Sequence, residues 1–206
     1  MIAIIDYGLG NVGSIYSMLR FVGVPAIITK DKREIINADR LILPGVGSFD
    51  QAIAQLNKSG LKELINERVI TEQTPILGIC LGMQIMTKGS EEGNLQGLGW
   101  FESHCIKFKF DANLNKEFKI PHMGWNDIFL SKDHEQNIFV PIDNEIKFYF
   151  AHSFHLTNAE QDTLATANYG YNFAVAIKKN NILGVQFHPE RSHMFGVQLF
   201  KAFSEL

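Results

Sequence analysis

The amino-acid sequence predicts an α/β fold: a doubly wound, mostly parallel sheet with helices on both faces and additional antiparallel strands in the C-terminal half. Short apolar runs alternate with helical patterns through the first half of the chain, which is typical of parallel strands joined by crossover helices. The second half carries aromatic and alternating runs between short polar stretches, which favours antiparallel strands on the same sheet. No linker, repeat or low-complexity segment interrupts residues 1–206, so a single domain is expected.

Apolar periodicity and the positions of glycine and proline predict the individual elements. An apolar run at 2–6 predicts a buried strand, and apolar residues at helical spacing predict a helix from 12 that ends at Gly23. Further strands are predicted at 24–29, 40–43, 75–79, 104–110, 147–151, 173–178 and 182–187. Helices are predicted at 49–58, 61–70 and 81–87. A last helix over 194–203 is expected to place Val197, Phe200 and Ala202 near the core.

The composition is that of an ordinary globular protein and excludes several functional classes. A formal net charge of -3 over 206 residues gives no electrostatic footprint for nucleic acid or for an anionic membrane surface. Two cysteines, Cys80 and Cys105, cannot make a disulfide framework and indicate a reducing compartment. The first residues form an apolar strand pattern without a basic segment or cleavage site, and no apolar run is long enough to span a bilayer. A cytoplasmic protein is expected.

The first candidate for chemistry is Cys80, which stands between a predicted buried strand and a predicted helix. The sequence Gly78-Ile79-Cys80-Leu81-Gly82 has the frame of a nucleophile elbow with sulfur in place of oxygen. A nucleophile on so sharp a turn needs very small neighbours two residues away, and the start of the following helix favours thiolate over thiol. Leu81 would offer its N–H to an oxyanion. The alternative is a buried structural cysteine, since free cysteine is among the most buried residue types.

A second candidate lies where the predicted strand 182–187 ends in His188-Pro189-Glu190. Residues two apart on an extended chain point to the same side, so His188 and Glu190 can face one site at a sheet end, where active sites of open α/β sheets lie. His188 would act as general base toward Cys80 and then as acid for the leaving group, and Glu190 would orient the imidazole. The alternative is a turn with an exposed ion pair. The elbow and this strand end together favour catalysis.

Further blocks along nearly the whole chain carry a resemblance to a known family. They are Asp6-Tyr7-Gly8, Pro44-Gly45-Val46-Gly47-Ser48-Phe49, Ser90-Glu91-Glu92, Pro121-His122-Met123-Gly124-Trp125-Asn126 and Tyr149-Phe150-Ala151-His152-Ser153. With the elbow and the His-Pro-Glu segment, they make the chain resemble the class I (triad) glutamine amidotransferases. Within these it is most similar to the glutaminase subunits of imidazole glycerol phosphate synthase, and the block at 121–126 is more specific than the elbow.

The resemblance implies hydrolysis of L-glutamine to glutamate and ammonia through a γ-glutamyl thioester, with no metal and no cofactor. It also implies a heterodimer with a (β/α)8-barrel cyclase that receives the ammonia, and a glutaminase that is nearly idle until this partner binds its own substrate. The implied catalytic residues are Cys80, His188 and Glu190, and the implied oxyanion hole is formed by Leu81, Gly45 and Val46. The implied glutamine-binding positions are Gly47, Gln84, His152, Ser153 and Phe154. The implied partner-interface positions are Asn11, Met123, Trp125, Tyr149 and Arg191.

Three departures from the family's pattern concern the partner rather than the triad. Phe154 stands where the family usually has tyrosine, Arg191 stands where lysine is common, and residues 100–104 replace a small turn that contains Pro-Gly. A related subunit that supplies ammonia for amination of a nucleotide-linked sugar in surface-polysaccharide synthesis is therefore an alternative role. Two other classes stay open: a thiol hydrolase such as a γ-glutamyl peptidase or a deglycase, and a degenerate module that only scaffolds the cyclase.

Two patterns suggest other kinds of site. Residues 8–13 after the first strand fit the Gly-x-Gly-x-x-Gly dinucleotide fingerprint, with Asp31 near the distance expected for a ribose contact. Asp31 is expected to open the next helix, however, and a dinucleotide site would leave the elbow without a role. His152 and His155 could suggest a metal, but no second pair of ligands accompanies them. Cys105 is expected to be a packed thiol.

Overall fold

The computed structural model describes residues 1–111, 117–131 and 138–206. In the first half, strands β1 to β4 are Ile2–Ile5, Ala26–Thr29, Arg40–Leu43 and Ile76–Ile79. Helices α1 to α5 are Val12–Val22, Lys32–Ile36, Phe49–Ser59, Lys62–Asn66 and Leu81–Gln84. In the second half, strands β5 to β12 are His104–Lys107, His122–Asp127, Phe129–Leu130, Lys147–His152, Phe154–Thr157, Thr163–Asn168, Asn172–Lys179 and Ile182–Val185. Helix α6, His193–Glu205, ends the chain.

Ten strands of the described ranges form one mixed sheet with the order β2-β1-β3-β4-β12-β11-β10-β7, in which β9 pairs with β11 and β5 with β9. The pairs from β2 to β12 are parallel, and the remaining pairs are antiparallel. The α/β fold with a mostly parallel centre and added antiparallel strands is confirmed. Because β4 and β12 are parallel neighbours, the residues that follow them meet at one end of the sheet.

The parallel strands are buried on both faces, and alternate residues of each strand enter different clusters. In β1, Ile2 and Ile4 pack in a cluster that includes residues of α1 and α6, whereas Ala3 and Ile5 pack in a cluster that includes residues of α2, α3 and α4. Helix layers therefore cover both faces. Removal of this apolar surface from water is the main term that stabilises the fold.

Helix ends follow the local signals in the sequence. Gly23 ends α1 with a left-handed φ of 80°, and its N–H donates to the carbonyl of Arg20, as a glycine after a helix allows. Asp31 caps α2, because its side chain accepts the N–H of Arg33. No helix within the described ranges is long and apolar enough to cross a membrane.

The second half departs from the sequence prediction in its pairing. The strand predicted at 147–151 lies outside the main sheet, because β8 pairs with β6 in a separate two-stranded sheet. Strands β6, β7, β9 and β10 were not predicted. In α6, Phe200 is buried as expected, but Leu199 and Phe203 are buried with it, while Val197 and Ala202 are only partly buried.

Two helices of the first half are shorter than predicted. The helix after Cys80 covers Leu81–Gln84 rather than 81–87, and the N–H of Thr87 then donates three residues back to the carbonyl of Gln84. The helix predicted at 61–70 is regular only over Lys62–Asn66 and continues as one wider turn, Glu67–Thr71. These changes leave the position of the elbow unaffected, since β4 directly precedes Cys80.

Candidate active site

The turn at Cys80 is strained and tightly packed. Cys80 has a φ of 53° and a ψ of -110°, and a positive φ is rare for a residue with a Cβ. A Cβ on Gly82 would lie 1.9 Å from the carbonyl oxygen of Leu43, so only glycine lets α5 begin this close to the end of β3. A Cβ on Gly78 would lie 2.9 Å from the backbone nitrogen of Met83. Both glycines of the motif are therefore required by the packing of the turn.

His188 reaches Cys80 because β4 and β12 are neighbours. The N–H of Cys80 donates to the carbonyl of Val185 at 2.8 Å, and three residues further along, the ring of His188 comes close enough to Cys80 for the thiol to raise the pKa of the ring. Nδ1 of His188 donates to Oε1 of Glu190 at 2.9 Å. The structure thus brings the three predicted catalytic residues into one chain of contacts, and all three are buried.

The surroundings of His188 favour its protonated form. Burial lowers the pKa of His188, but the hydrogen bonds to Cys80 and Glu190 outweigh burial and raise this pKa to about 10. At neutral pH the ring is therefore an imidazolium. The second carboxylate oxygen of Glu190, Oε2, is buried without a hydrogen-bond partner within the described ranges. The histidine can therefore act as a proton donor to a leaving group.

The raised pKa of His188 should make the stability of the fold depend on pH in the alkaline range. An imidazole that holds its proton more tightly in the folded chain stabilises the fold fully below pH 6.5, and this contribution is lost as the pH rises through about 10. Relative to a His188→Gln variant, we expect the free energy of unfolding to fall by at least about 1 kcal/mol over that interval. Urea unfolding of both proteins at several pH values measures this difference, and parallel profiles would contradict the raised pKa.

The segment after β3 lies against the elbow, as the predicted oxyanion hole requires. A Cβ on Gly45 would lie 2.7 Å from the backbone nitrogen of Gly82 and 2.9 Å from Cβ of Leu81. Leu81 is the first residue of α5, so its N–H has no partner within the helix. Val46 follows Gly45 and is 43% exposed at the cavity wall. Backbone N–H groups from two elements thus lie close to Cys80.

The loop after β1 supports this segment from the other side. The buried hydroxyl of Tyr7 donates to the carbonyl of Pro44 at 2.8 Å. A Cβ on Gly10 would lie 2.7 Å from Cβ of Pro44, so glycine is needed for this approach. Pro44 is therefore held between the first loop and the elbow, and Val46 and Gly47 extend from it along the cavity.

A cavity of about 560 Å³ opens in front of Cys80. The three predicted catalytic residues line it, and so do all the predicted glutamine-binding positions, which are Gly47, Gln84, His152, Ser153 and Phe154. Leu81 and Val46 of the predicted oxyanion hole line it as well, whereas Gly45 is buried behind them. Glu92 adds a carboxylate to the wall, and its Oε2 accepts the N–H of Phe49 at 2.7 Å.

Two neutral histidines support the cavity wall. Nδ1 of His152 lies 2.8 Å from the carbonyl oxygen of Phe154, so this nitrogen carries the proton and Nε2 is an acceptor. Nδ1 of His122, 3.0 Å away, therefore donates to His152, and Nε2 of His122 accepts from the side-chain amide of Asn126 at 3.3 Å. Burial lowers the pKa of His122 to about 4 and that of His152 to about 3. These hydrogen bonds run in one direction, from Asn126 to the carbonyl of Phe154.

Comparison with known proteins assigns the family. The model of the class-I glutamine amidotransferase family matches residues 3–203. The chain belongs to this family. A protein named imidazole glycerol phosphate synthase subunit HisH 2 from Methanococcus maripaludis is 48% identical over 204 residues, 98% of each chain. A protein of the same name from Pseudomonas aeruginosa is 42% identical over 207 residues, 100% of each chain. PurLQS from Thermotoga maritima superposes with a TM-score of 0.71 at 17% identity, over 99% of this chain and 97% of that chain, which shows the fold alone.

Three of the five predicted interface residues of the amidotransferase line the cavity, and the other two lie beside them. Met123 and Trp125 of β6 and Tyr149 of β8 alternate with more buried neighbours, so they share the outer face of the two-stranded sheet. Met123 is 64% exposed and Trp125 is 47% exposed. The guanidinium of Arg191 lies 4.2 Å from the ring centre of Tyr149. Asn11, Met123 and Arg191 also line the cavity, so this exposed face is continuous with its entrance.

The glycine loop of the amidotransferase lacks the packing that a dinucleotide site requires. The third glycine of the fingerprint serves close packing of helix on strand, but a Cβ on Gly13 would meet no atom within 4 Å. Asp31 is used as the cap of α2, as its place in the sequence predicts. Gly10 is needed for the approach to Pro44, so the loop supports the segment beside the cavity.

The second cysteine and the paired histidines have structural partners. Cys105 is fully buried as expected, and burial raises the pKa of its thiol to about 12. His155 hydrogen-bonds the carbonyl of Leu156 and the hydroxyl of Tyr171, and so does not share a ligand with His152. Within residues 1–111, 117–131 and 138–206, no group of three or more His, Cys, Asp or Glu side chains could hold a metal ion.

Two residues at the site were not singled out by the sequence patterns. Gln186 is fully buried, and its Nε2 lies 3.7 Å from Sγ of Cys80. Gln186 stands two residues before His188, and residues at this spacing on an extended chain point to the same side. The sequence therefore did contain a pattern that places Gln186 at the site. Glu92 stands in one of the blocks that carry the family resemblance, but nothing in its local pattern indicates that its carboxylate faces the cavity.

Proposed function

We propose that this amidotransferase is the glutaminase subunit of an imidazole glycerol phosphate synthase, which hydrolyses L-glutamine at Cys80 and passes ammonia to a (β/α)8-barrel cyclase. The contact chain from Cys80 through His188 to Glu190, at the wall of a cavity, carries this proposal. The names of the relatives from Methanococcus and Pseudomonas favour the histidine pathway over amination of a nucleotide-linked sugar. The unpaired cysteines support a cytoplasmic location.

The chemistry begins with the thiolate of Cys80, which attacks the side-chain carbonyl carbon of glutamine. As the C–S bond forms, charge moves to the amide oxygen, where the N–H groups of Leu81 and Val46 stabilise it. The C–N bond then breaks, and the imidazolium of His188 gives its proton to the leaving nitrogen, which departs as ammonia. Water attacks the remaining thioester and gives a proton to His188. The C–S bond breaks, so glutamate and the thiolate–imidazolium pair are formed again.

Glutamine itself is recognised through its charged α-carbon end. Glu92 faces the cavity as a carboxylate fixed by the N–H of Phe49, so it can pair with the α-ammonium group of the substrate. The backbone of Gly47 and the backbone and hydroxyl of Ser153 lie on the same wall and would supply polar groups for the α-carboxylate and the amide. A substrate held between these groups would present its amide carbon to Cys80.

The cyclase would dock on the exposed face formed by Met123, Trp125 and Tyr149. Aromatic residues, methionine and arginine are enriched at protein interfaces, and Arg191 stacks on Tyr149 beside this face. Because the face is continuous with the cavity entrance, a docked partner would cover the entrance and keep the released ammonia from bulk water. Contact with Asn11 and Val46 would also let the partner act on the oxyanion segment.

The test is to combine the chain with a histidine-pathway cyclase barrel and the ribonucleotide substrate of that cyclase. Imidazole glycerol phosphate should form from glutamine, and glutamate release should rise by roughly the 10²–10³-fold that an oxyanion-hole donor contributes. Glutamate release that is equal with and without the loaded cyclase would contradict gating. Glutaminase activity without imidazole glycerol phosphate would leave the chemistry in place and reassign the ammonia acceptor to the nucleotide-linked sugar.

Substitutions at His188 and Arg191 should separate catalysis from docking. His188→Ala should lower glutaminase turnover by about 10²–10⁴-fold, because a positioned acid–base group contributes that much, and should leave the affinity for the cyclase unchanged. Arg191→Ala should lower turnover much less and weaken cyclase binding more, since its guanidinium lies on the exposed face. Turnover assays at saturating cyclase and calorimetric titration measure the two effects. The reverse order would place Arg191 in the chemistry.

A further inference from the structure

We infer that Gln186 is a further catalytic residue whose side-chain N–H stabilises the thiolate of Cys80; the inference rests on the proposed role of Cys80 as nucleophile. Nε2 of Gln186 lies 3.7 Å from Sγ, within the longer range of hydrogen bonds to sulfur. Gln186 is fully buried, so bulk water does not compete for this contact. The sulfur therefore has two side-chain donors, the ring of His188 and the amide of Gln186.

The main chain fixes where the amide starts. Gln186 directly follows β12, and its backbone N–H donates to the carbonyl of Val175 in β11 at 2.8 Å. On the other side of β12, the N–H of Cys80 donates to the carbonyl of Val185. The residues that carry the two side chains are thus linked through one strand, and the amide has little freedom to move away from the sulfur.

The hydrogen bonds around Gln186 also fix which end of its amide faces the sulfur. Nε2 of Gln84 donates to the carbonyl of Phe154 at 3.1 Å and to Oε1 of Gln186 at 3.1 Å. If the side-chain amide of Gln84 were rotated by half a turn, its oxygen would face the carbonyl oxygen of Phe154, and two acceptors would meet. If the amide of Gln186 were rotated, its Nε2 would face Nε2 of Gln84, and two donors would meet. The carbonyl of Phe154 is itself an acceptor for His152. Oε1 of Gln186 therefore faces Gln84, and the side-chain N–H of Gln186 faces Cys80.

This arrangement favours the charged form of the sulfur in both halves of the reaction. A hydrogen bond to a thiolate is stronger than one to a thiol or to a neutral thioester, so it raises the fraction of thiolate and improves the thiolate as a leaving group. The amide transfers no proton at any step, unlike His188, so it remains a donor during attack and during thioester hydrolysis. Gln186 would thus hold the thiolate while His188 gives up and regains its proton.

The test follows alkylation of the full chain by iodoacetamide, in which the sulfur of Cys80 forms a bond to carbon and iodide leaves. Peptide mass mapping reports Cys80 and Cys105 separately, and Cys105 stays unlabelled as long as the variant is folded, because it is fully buried. In Gln186→Met, which has a similar length and no donor, the pH of half-maximal labelling should rise by about one unit. Below that pH, the rate of Cys80 alkylation in Gln186→Met should be roughly tenfold lower than in the wild type.

The matched variant is Gln186→Glu, which keeps the oxygen that Gln84 contacts and replaces the donor with a second acceptor. It should raise the pH of half-maximal labelling at least as far as Gln186→Met. A purely structural role predicts instead that folded Gln186→Met labels like the wild type, and that result would overturn the inference. Wild-type labelling of Gln186→Glu would overturn it as well. Labelling needs neither glutamine nor a cyclase, so a failure of the proposed function leaves this readout intact.

A measurement without any change at Gln186 covers the case in which both variants unfold. In nitrogen-15 NMR spectra of the folded chain, one side-chain amide proton of Gln186 should shift when Cys80→Ala removes the sulfur. The side-chain amide of Gln198 in α6 serves as the control and should stay in place. An unshifted Gln186 amide would refute the hydrogen bond to sulfur.

Discussion

A Cys80→Ala variant should lose glutamine-dependent product formation by at least about 10⁴-fold, because removal of a nucleophile disables a catalytic unit as a whole. Formation of product from added ammonia by the same complex should persist, since the variant leaves the proposed docking face unchanged. Assays of the complex with glutamine and with ammonium chloride measure the two activities.

The control for this variant is Cys105→Ala, which removes the other thiol from a fully buried site that does not line the cavity. Folded Cys105→Ala protein should keep both glutamine-dependent and ammonia-dependent product formation. If Cys80→Ala reduced neither activity, the chain would be a scaffold for the cyclase; loss of both would show that Cys80 is needed for the assembly.

A Gly82→Ala variant should lose both stability and glutaminase turnover. The new Cβ would lie 1.9 Å from the carbonyl oxygen of Leu43, so β3 and α5 must separate. Such overpacking costs about 1–3 kcal/mol, and displacement of the N–H of Leu81 from the oxyanion should cost roughly 10²–10³-fold in turnover. Urea unfolding and glutaminase assays of the complex measure the two effects.

Gly13→Ala is the matched control for this substitution. Gly13 lies in α1 with no atom within 4 Å of the position of a new Cβ, so alanine should stabilise the helix by about 0.5–1 kcal/mol. Turnover should not change. If both alanine variants behaved alike, the close approach of Gly82 to β3 would not be what the elbow requires.

The parallel half of the fold was predictable because its signals are local. Strand Arg40–Leu43 has the predicted bounds, since an apolar run stops at Pro44, and Gly23 ends α1 where the sequence indicates. Pairing in the second half depends on residues far apart in sequence. The alternation of β8 predicts a strand, but only its register with β6 decides that it leaves the main sheet. Strand β10 is rich in alanine and threonine and has too weak an apolar pattern to be recognised.

The candidate site was predictable to the extent that each part has its own motif. The glycines around Cys80 and the spacing of His188 and Glu190 locate the three groups, and adjacent strands bring them together. The direction of the hydrogen bonds around Gln84 and Gln186 was not predictable, because it follows from partners that meet only in the folded chain. For the same reason, the role of Tyr7 in holding Pro44 has no signal in the sequence.

The pairing of β4 with β12 has a consequence for synthesis on the ribosome. Cys80 emerges well before β12 and the residues Gln186 and His188 that follow it, so a nascent chain exposes this cysteine without the groups proposed to activate it. The groups proposed to activate the sulfur reach it only when the last strand enters the centre of the sheet. With the proposed activation, an unfinished chain would react slowly with alkylating and oxidising agents at this position, and reactivity of the thiol would report that β12 has joined the sheet.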